Sequence, residues 1–233
     1  MRRVAVYAAT RARYDQMAVA ARSLLLNTRM DRVIFLIEDD NFPEQLPPVI
    51  WTVNVGQQDW FNPDGPNSRT QWTYMALMRL VLPEMLQDET RCLWLDTDTI
   101  CNRDIGGIFD MDLGDNLVAM VKEPGRSKAP FRYHNSGVIL MNLDRLRICG
   151  LYRDWVRLVE SQQLDTPDQD AINMLTQGRI MEISPEWNAC NYTGQPASAR
   201  IFHFAGMQPE QIRRSSRLWN EYAATSWEDL NGA

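Results

Sequence analysis

The chain has 233 residues, 45% hydrophobic and 23% charged, with a net charge of −6. That length and balance suit a single globular α/β domain with a sizeable core. An acidic chain without a Lys/Arg-rich run excludes a general nucleic-acid or anionic-membrane surface.

Met1-Arg-Arg-Val-Ala-Val-Tyr7 runs straight into a strand pattern, predicted over Val4 to Ala9. Its apolar run is too short for a signal peptide or a membrane span. Thr10 to Arg13 is a turn. Tyr14 to Leu26 is a helix with Met17, Ala18, Ala21, Leu24 and Leu25 at helical spacing. Arg32 to Ile37 is continuous and β-branched, as in a strand buried on both faces. Three prolines break the chain before a third strand, Val49 to Val55. Gly56 to Ser68 is dense in turn residues and reads as a mobile lid or, equally, a plain surface loop. Arg69 to Leu82 reads as a helix that Pro83 ends or kinks.

The next stretch organises the chain. Cys92 to Leu95 is a short apolar strand leading directly into Asp96-Thr97-Asp98. Two carboxylates one residue apart at a strand end can both turn to one point, where burial is costly unless a cation compensates. A hard divalent ion that keeps positions for phosphate oxygens fits such a pair. Solvated loop acids are the plain alternative.

Asn116 to Val121 is a further strand. Phe131 to Met141 combines a polar approach, Asn135-Ser136-Gly137, and a strand. Asp144 is a good N-cap for a helix through Leu158, and Thr166 before Pro167 for the short helix of Asp168-Gln169-Asp170. Ile180 to Ile183 is a strand, Trp187-Asn188 a turn, and Arg200 to Phe204 the last strand, ending at Gly206. Gln208 to Tyr222 is helical. Strand–helix–strand order implies a mostly parallel, Rossmann-like sheet flanked by helices, with ligand sites beyond the carboxyl ends of its strands. Four cysteines, Cys92, Cys101, Cys149 and Cys190, form neither CxxC nor zinc spacing. Reduced thiols and a cytoplasmic location are expected.

Two chemistries use an apolar strand followed by Asp-x-Asp. Haloacid-dehalogenase-type phosphatases also need an N-terminal position for it, a downstream lysine and a second acidic pair. Here the acids follow three strands, and neither Lys122 nor Lys128 opens a convincing helix. Sugar-nucleotide transferases gain parts instead. Val6-Tyr7-Ala8-Ala-Thr10 with Tyr14, Tyr74 to Arg79 leading to Leu95-Asp-Thr-Asp98, Asn135-Ser-Gly-Val, Asp168-Gln169-Asp170, and Trp187-Asn188 followed by His203-Phe-Ala-Gly206 occur in order. Together they resemble the glycogenin- and LgtC-like retaining glycosyltransferases of family eight, which have a GT-A fold. The resemblance extends to about Pro209.

The resemblance implies a role for each segment. Residues 1–115 would bind the nucleotide, 116–206 the sugar and acceptor, and 207–233 would form a helical tail. Tyr7, Ala8, Thr10 and Tyr14 would hold uridine. Asp96, Asp98 and His203 would hold Mn²⁺, or Mg²⁺, with Thr97 beside them. Arg79 would reach sugar and phosphate, while Asn135, Ser136 and Gly137 would face the donor sugar. Asp168 would hold hydroxyls, Gln169 would lie nearest the anomeric carbon, and Gly206 and Gln208 would border the diphosphate. The implied reaction moves a hexose from UDP-glucose or UDP-galactose to a carbohydrate, lipid-linked glycan or protein acceptor, with retention. A homodimer is allowed but written in no residue pattern. Relatives place a lysine after the His-x-x-Gly segment. Here Met207-Gln208-Pro209 follows instead, which leaves a sugar-nucleotide-binding protein without turnover as the alternative. Glu123 stands near where relatives carry a sugar-contacting acid.

Overall fold

The computed structural model describes residues 1–68, 73–124, 131–193 and 198–232. Its strands are β1 (Val4–Ala8), β2 (Arg32–Ile37), β3 (Ile50–Asn54), β4 (Arg91–Leu95), β5 (Thr99–Cys101), β6 (Val118–Lys122), β7 (His134–Asn142), β8 (Ile180–Ile183), β9 (Ala189–Cys190) and β10 (Ile201–His203). Its α-helices are α1 (Tyr14–Asn27), α2 (Thr73–Leu77), α3 (Leu82–Met85), α4 (Leu143–Cys149), α5 (Leu151–Ser161), α6 (Pro167–Leu175), α7 (Pro209–Ser215) and α8 (Arg217–Ala223). The main sheet has the order β3-β2-β1-β4-β7-β6-β8, and a small sheet the order β5-β10-β9.

β7 alone opposes the direction of the main sheet, pairing antiparallel with both β4 and β6. This reversal positions the site. Leu95 of β4 lies opposite Val138 of β7, so the start of β7 meets the carboxyl end of β4. Asp-x-Asp and Asn-Ser-Gly, about 40 residues apart in sequence, therefore share one edge.

The central strands β1, β2 and β4 read as largely apolar runs because both sheet faces are covered there. Side chains alternate between the faces. Ala5, Tyr7, Val33, Phe35, Leu93 and Leu95 pack with α1 on one face. Val4, Val6, Ile34, Leu36, Cys92 and Trp94 pack with Trp155 of α5 and Ile172 of α6 on the other. A third cluster docks Ile212 of α7 and Trp219 of α8 onto Val19 of α1.

Several local expectations change. Asn142, not Asp144, caps α4: its side chain accepts from the Arg145 amide at 3.2 Å. Gly150, at φ 70°, splits the expected long helix into α4 and α5, since only glycine adopts that left-handed turn without cost. Thr166 makes no side-chain cap; Asp170 instead reaches back to accept from the Thr166 amide at 2.9 Å. Pro83 does not end a helix but opens α3, where a first-turn proline loses no hydrogen bond. Before it, Met78–Val81 tightens to a 3₁₀ turn; the first four residues of the expected helix, 69–72, lie outside the described residues. The segment expected as a lid or surface loop is anchored at Phe61 and at its end, Asn67 and Ser68. Asn67 is 1% exposed and donates to the carbonyls of Val159 and Gln162 on α5 and the turn after it. Four cysteines are free, with Cys149 at the surface.

Candidate active site

The site forms where β4 breaks. Thr99 donates to the Asp96 carbonyl through both its amide, at 3.2 Å, and its hydroxyl, at 2.7 Å. This tight turn presents Asp96 and Asp98 on one side. Asp96 is also held from below: its amide donates to the Gly137 carbonyl at 2.8 Å. Its Oδ1 accepts from Arg79 Nη2 and from Trp94 Nε1, each at 2.8 Å. That leaves Oδ2 facing His203, with Nε2 at 3.8 Å.

His203 ends β10 and is 3% exposed. The Phe204 amide donates to the Asp98 carbonyl at 2.9 Å, which brings this segment under the turn. His203 Nε2 lies 3.2 Å from Asp98 Oδ1. One ligand atom from each of Asp96, Asp98 and His203 falls within 4.8 Å of the others, an arrangement that can hold a metal ion. The imidazole packs against Gly137, where a β-carbon would sit 2.1 Å from His203 Cε1. Any larger residue at 137 would push the ring out of the site.

A chain of amides sets the ring's tautomer. The Gly137 amide donates to Asn135 Oδ1 at 2.9 Å, and Asn135 Nδ2 donates to Glu123 Oε2 at 2.9 Å. Asn135 Oδ1 therefore faces Asn188, whose Nδ2 donates to it at 2.8 Å. Asn188 Oδ1 is left to face His203 Nδ1 at 2.9 Å. An oxygen there favours a proton on Nδ1, so that Nε2 is the nitrogen facing the carboxylates, where it can carry either a proton or an ion. Such outer partners orient metal-binding imidazoles.

Charge is tightly coupled. Burial, reinforced by Asp98 and opposed by Arg79, raises the Asp96 carboxyl above its usual range. Burial acts on Asp98 too, but His203 outweighs it and holds that carboxyl low. Burial disfavours a charged His203, yet Asp98 lifts its pKa well above the ordinary value. The turn thus attracts positive charge. Two carboxylate oxygens and an imidazole nitrogen are a fitting donor set for Mn²⁺.

Two hollows meet at this turn. The larger, about 540 Å³, is walled by Ala8, Ala9, Thr10, Arg79, Thr97, Gly206 and Gln208, with Arg13 and Gln16 on the α1 side. The smaller, about 260 Å³, is walled by Asn135, Ser136, Gly137, Asp168, Gln169 and Tyr192. Arg79, Asp96, Asp98 and Gly206 border both. Gly206 sits at φ +74°, the left-handed turn that brings Gln208 back to the larger hollow.

Most residues expected at the site are brought together, with two corrections. Tyr7 points into the core, 0% exposed and edge-on to Phe35, because an odd position on β1 faces α1. Tyr14 is 2% exposed, stacks on Phe42, and its hydroxyl accepts from the Glu38 amide at 2.8 Å. Neither lines the two central hollows. Arg79 is more committed than a free phosphate fork: it donates to Asp96 and the Ser136 carbonyl and pairs with Asp168 at 3.2 Å. Ser136 donates its hydroxyl to Asp168 at 2.8 Å and its amide to Gln169 Oε1 at 2.8 Å, which locks α6 against β7. Asp170 turns away toward Tyr133 and Thr166.

Several residues at the site have no role in the sequence reading, among them Arg13, Gln16, Tyr192 and Asn188. Arg13 sits in an apparent turn, and Asn188 read as a turn residue within a motif. The motif marked Asn188 but not its role, and nothing marked Arg13, because each acts through a partner distant in sequence.

The model of the glycosyl transferase family 8 matches residues 4–209. The chain belongs to this glycosyltransferase family. This sets aside the phosphatase alternative. The chain is 26% identical to the lipopolysaccharide 1,2-glucosyltransferase of Escherichia coli K12 over 200 residues, 75% of this chain and 58% of that protein. It is 25% identical to general stress protein A of Bacillus subtilis 168 over 134 residues, 52% of this chain and 47% of that one. Among solved structures, LgtC, a galactosyltransferase in complex with donor and acceptor sugar analogues, superposes with a TM-score of 0.71 at 19% identity, covering 98% of this chain and 99% of that one. Glycosyltransferase GlyE of Streptococcus pneumoniae TIGR4 gives a TM-score of 0.76 at 18% identity, covering all of this chain and 62% of that one. The fold is the GT-A architecture expected. Among the described residues no helix is long and apolar enough to cross a membrane.

Proposed function

We propose that this glycosyltransferase moves a hexose, glucose or galactose, from a UDP-sugar to an acceptor with retention. The observation that carries the reading is the three-donor cluster Asp96, Asp98 and His203 at the junction of two adjoining hollows. The larger suits a nucleoside diphosphate along Ala8 to Thr10; the smaller, polar and walled by Asp168 and Gln169, suits a sugar. Relatives named as a 1,2-glucosyltransferase and a 1,3-galactosyltransferase support a hexose.

A divalent ion at the cluster would stabilise charge on the departing diphosphate. The chain's own groups prepare that step. Arg79 and Trp94 fix Asp96 so that one oxygen stays free for the ion. Arg79 also pairs with Asp168 and so links the two hollows. Gln169 borders the sugar recess with an amide that is a poor nucleophile. Attack by the acceptor from the leaving-group face therefore fits better than a covalent sugar–enzyme, and retention follows from the family resemblance.

The test is calorimetric titration of UDP with and without Mn²⁺, followed by hydrolysis of UDP-glucose and UDP-galactose. Manganese-dependent binding with slow release of one sugar is expected. Asp98→Asn should lower that release about a thousandfold or more while leaving the fold intact. Activity that survives this change with manganese still required would overturn the metal assignment. Manganese-dependent binding with neither sugar released would favour the protein without turnover.

A further inference from the structure

The larger hollow carries an imbalance of charge. At its base stand Asp96 and Asp98, and Asp168 lies just beyond them. Arg79 is the cation among them, but it is 3% exposed and already paired with Asp96 and Asp168. A nucleoside diphosphate brings more negative charge than one divalent ion can offset. Something on the facing wall must supply a cation.

We infer that Arg13 is that group, a diphosphate-binding residue that steadies the leaving nucleotide; this rests on the transferase reading above. Arg13 lines the larger hollow from the turn between β1 and α1. It is half-buried, and among the described residues no carboxylate pairs with it. Its Nη2 donates to Gln208 Oε1 at 2.7 Å, and its Nη1 reaches Gln16 Oε1 at 3.4 Å. Both partners are neutral, so they aim the guanidinium without cancelling its charge. Gln208 crosses to it from the far wall, just past the turn at Gly206. The two side chains thus meet at the wall of the hollow that Arg79 also lines. A bound diphosphate would meet two guanidiniums, Arg79 already committed to carboxylates and Arg13 held only by neutral amides. A guanidinium forks onto phosphate oxygens in a way a lone amide cannot.

The contact also supplies a positive charge beside the uncharged residue at position 208. The positive charge sits on the other wall, and residue 208 holds it in place. A lysine at 208 would bring its ammonium to nearly the same point.

The test compares UDP with uridine, each titrated by calorimetry with Mn²⁺, for the unsubstituted protein, Arg13→Ala, and Arg13→Ala with Gln208→Lys. Arg13→Ala should weaken UDP binding about tenfold to a hundredfold and leave uridine binding unchanged. The double variant should recover most of the loss, which a misfolded protein could not do. Equal losses for UDP and uridine would show that Arg13 serves the base and would overturn the inference. Unchanged UDP binding in Arg13→Ala would overturn it while the transferase reading stands. Failure of the unsubstituted protein to bind UDP with Mn²⁺ would overturn both.

Discussion

Asn188 shows how a side chain outside both hollows can govern a candidate metal site. Its orientation is dictated by a backbone amide, that of Gly137, acting through Asn135. Its oxygen then favours a proton on His203 Nδ1. Asn188→Ala removes this lock and lets the ring turn or change tautomer. Mn²⁺ affinity should fall about tenfold to a hundredfold, read by titration of the ion's paramagnetic resonance, with circular dichroism unchanged. An unaltered titration curve would mean that Asp98 and Gly137 hold the ring without help. Sequence supplied the three donors here, since Asp96, Asp98 and His203 each stand at the end of a readable strand. It could not supply Asn188, because the relay depends on which atoms of two amides face each other.

At the scale of elements, the antiparallel insertion of β7 matters most. It turns Asn135 to Gly137 toward the carboxyl edge of β4, where Asp96 and His203 pack against them. The segment before α2 plays a different part from that expected of its composition. Turn-forming residues from Asn62 to Asn67 suggested mobility, yet Phe61 is 1% exposed and Asn67 makes three hydrogen bonds. Composition gives turn geometry, and burial decides whether the turn moves. Asn67→Ala would strand two carbonyls on the α5 side and the Leu164 amide. It should cost about 2–3 kcal/mol, measured as a shift in the urea midpoint at constant slope. A loss under half a kilocalorie would restore a mobile segment.

For the whole molecule, the two hollows join at residues drawn from both halves of the sheet and from the small β5-β10-β9 sheet. A ligand spanning them ties these parts together, and any ligand bound only by the native state raises its stability. UDP with Mn²⁺ at about a hundred times the dissociation constant should add about 2.7 kcal/mol, seen as a rise in the thermal midpoint. Asp98→Asn should abolish the manganese-dependent part of that rise. An equal rise with and without Mn²⁺ would show that the nucleotide binds independently of the cluster.

By itself the sequence determined the class of fold, most of its strands along the chain and the metal-ligand candidates. Those follow from local causes: apolar runs long enough to be buried on both faces, glycines and prolines that mark element boundaries, and acids placed at strand ends. It also carried the family through five short motifs in order. The tertiary structure alone decided which way Tyr7 and Tyr14 point, how far Arg79 is already committed, and that Arg13 faces Gln208. These depend on pairing across 17 to 195 residues. No local pattern encodes such contacts, because they form only when the sheet has closed and its two walls stand opposite each other.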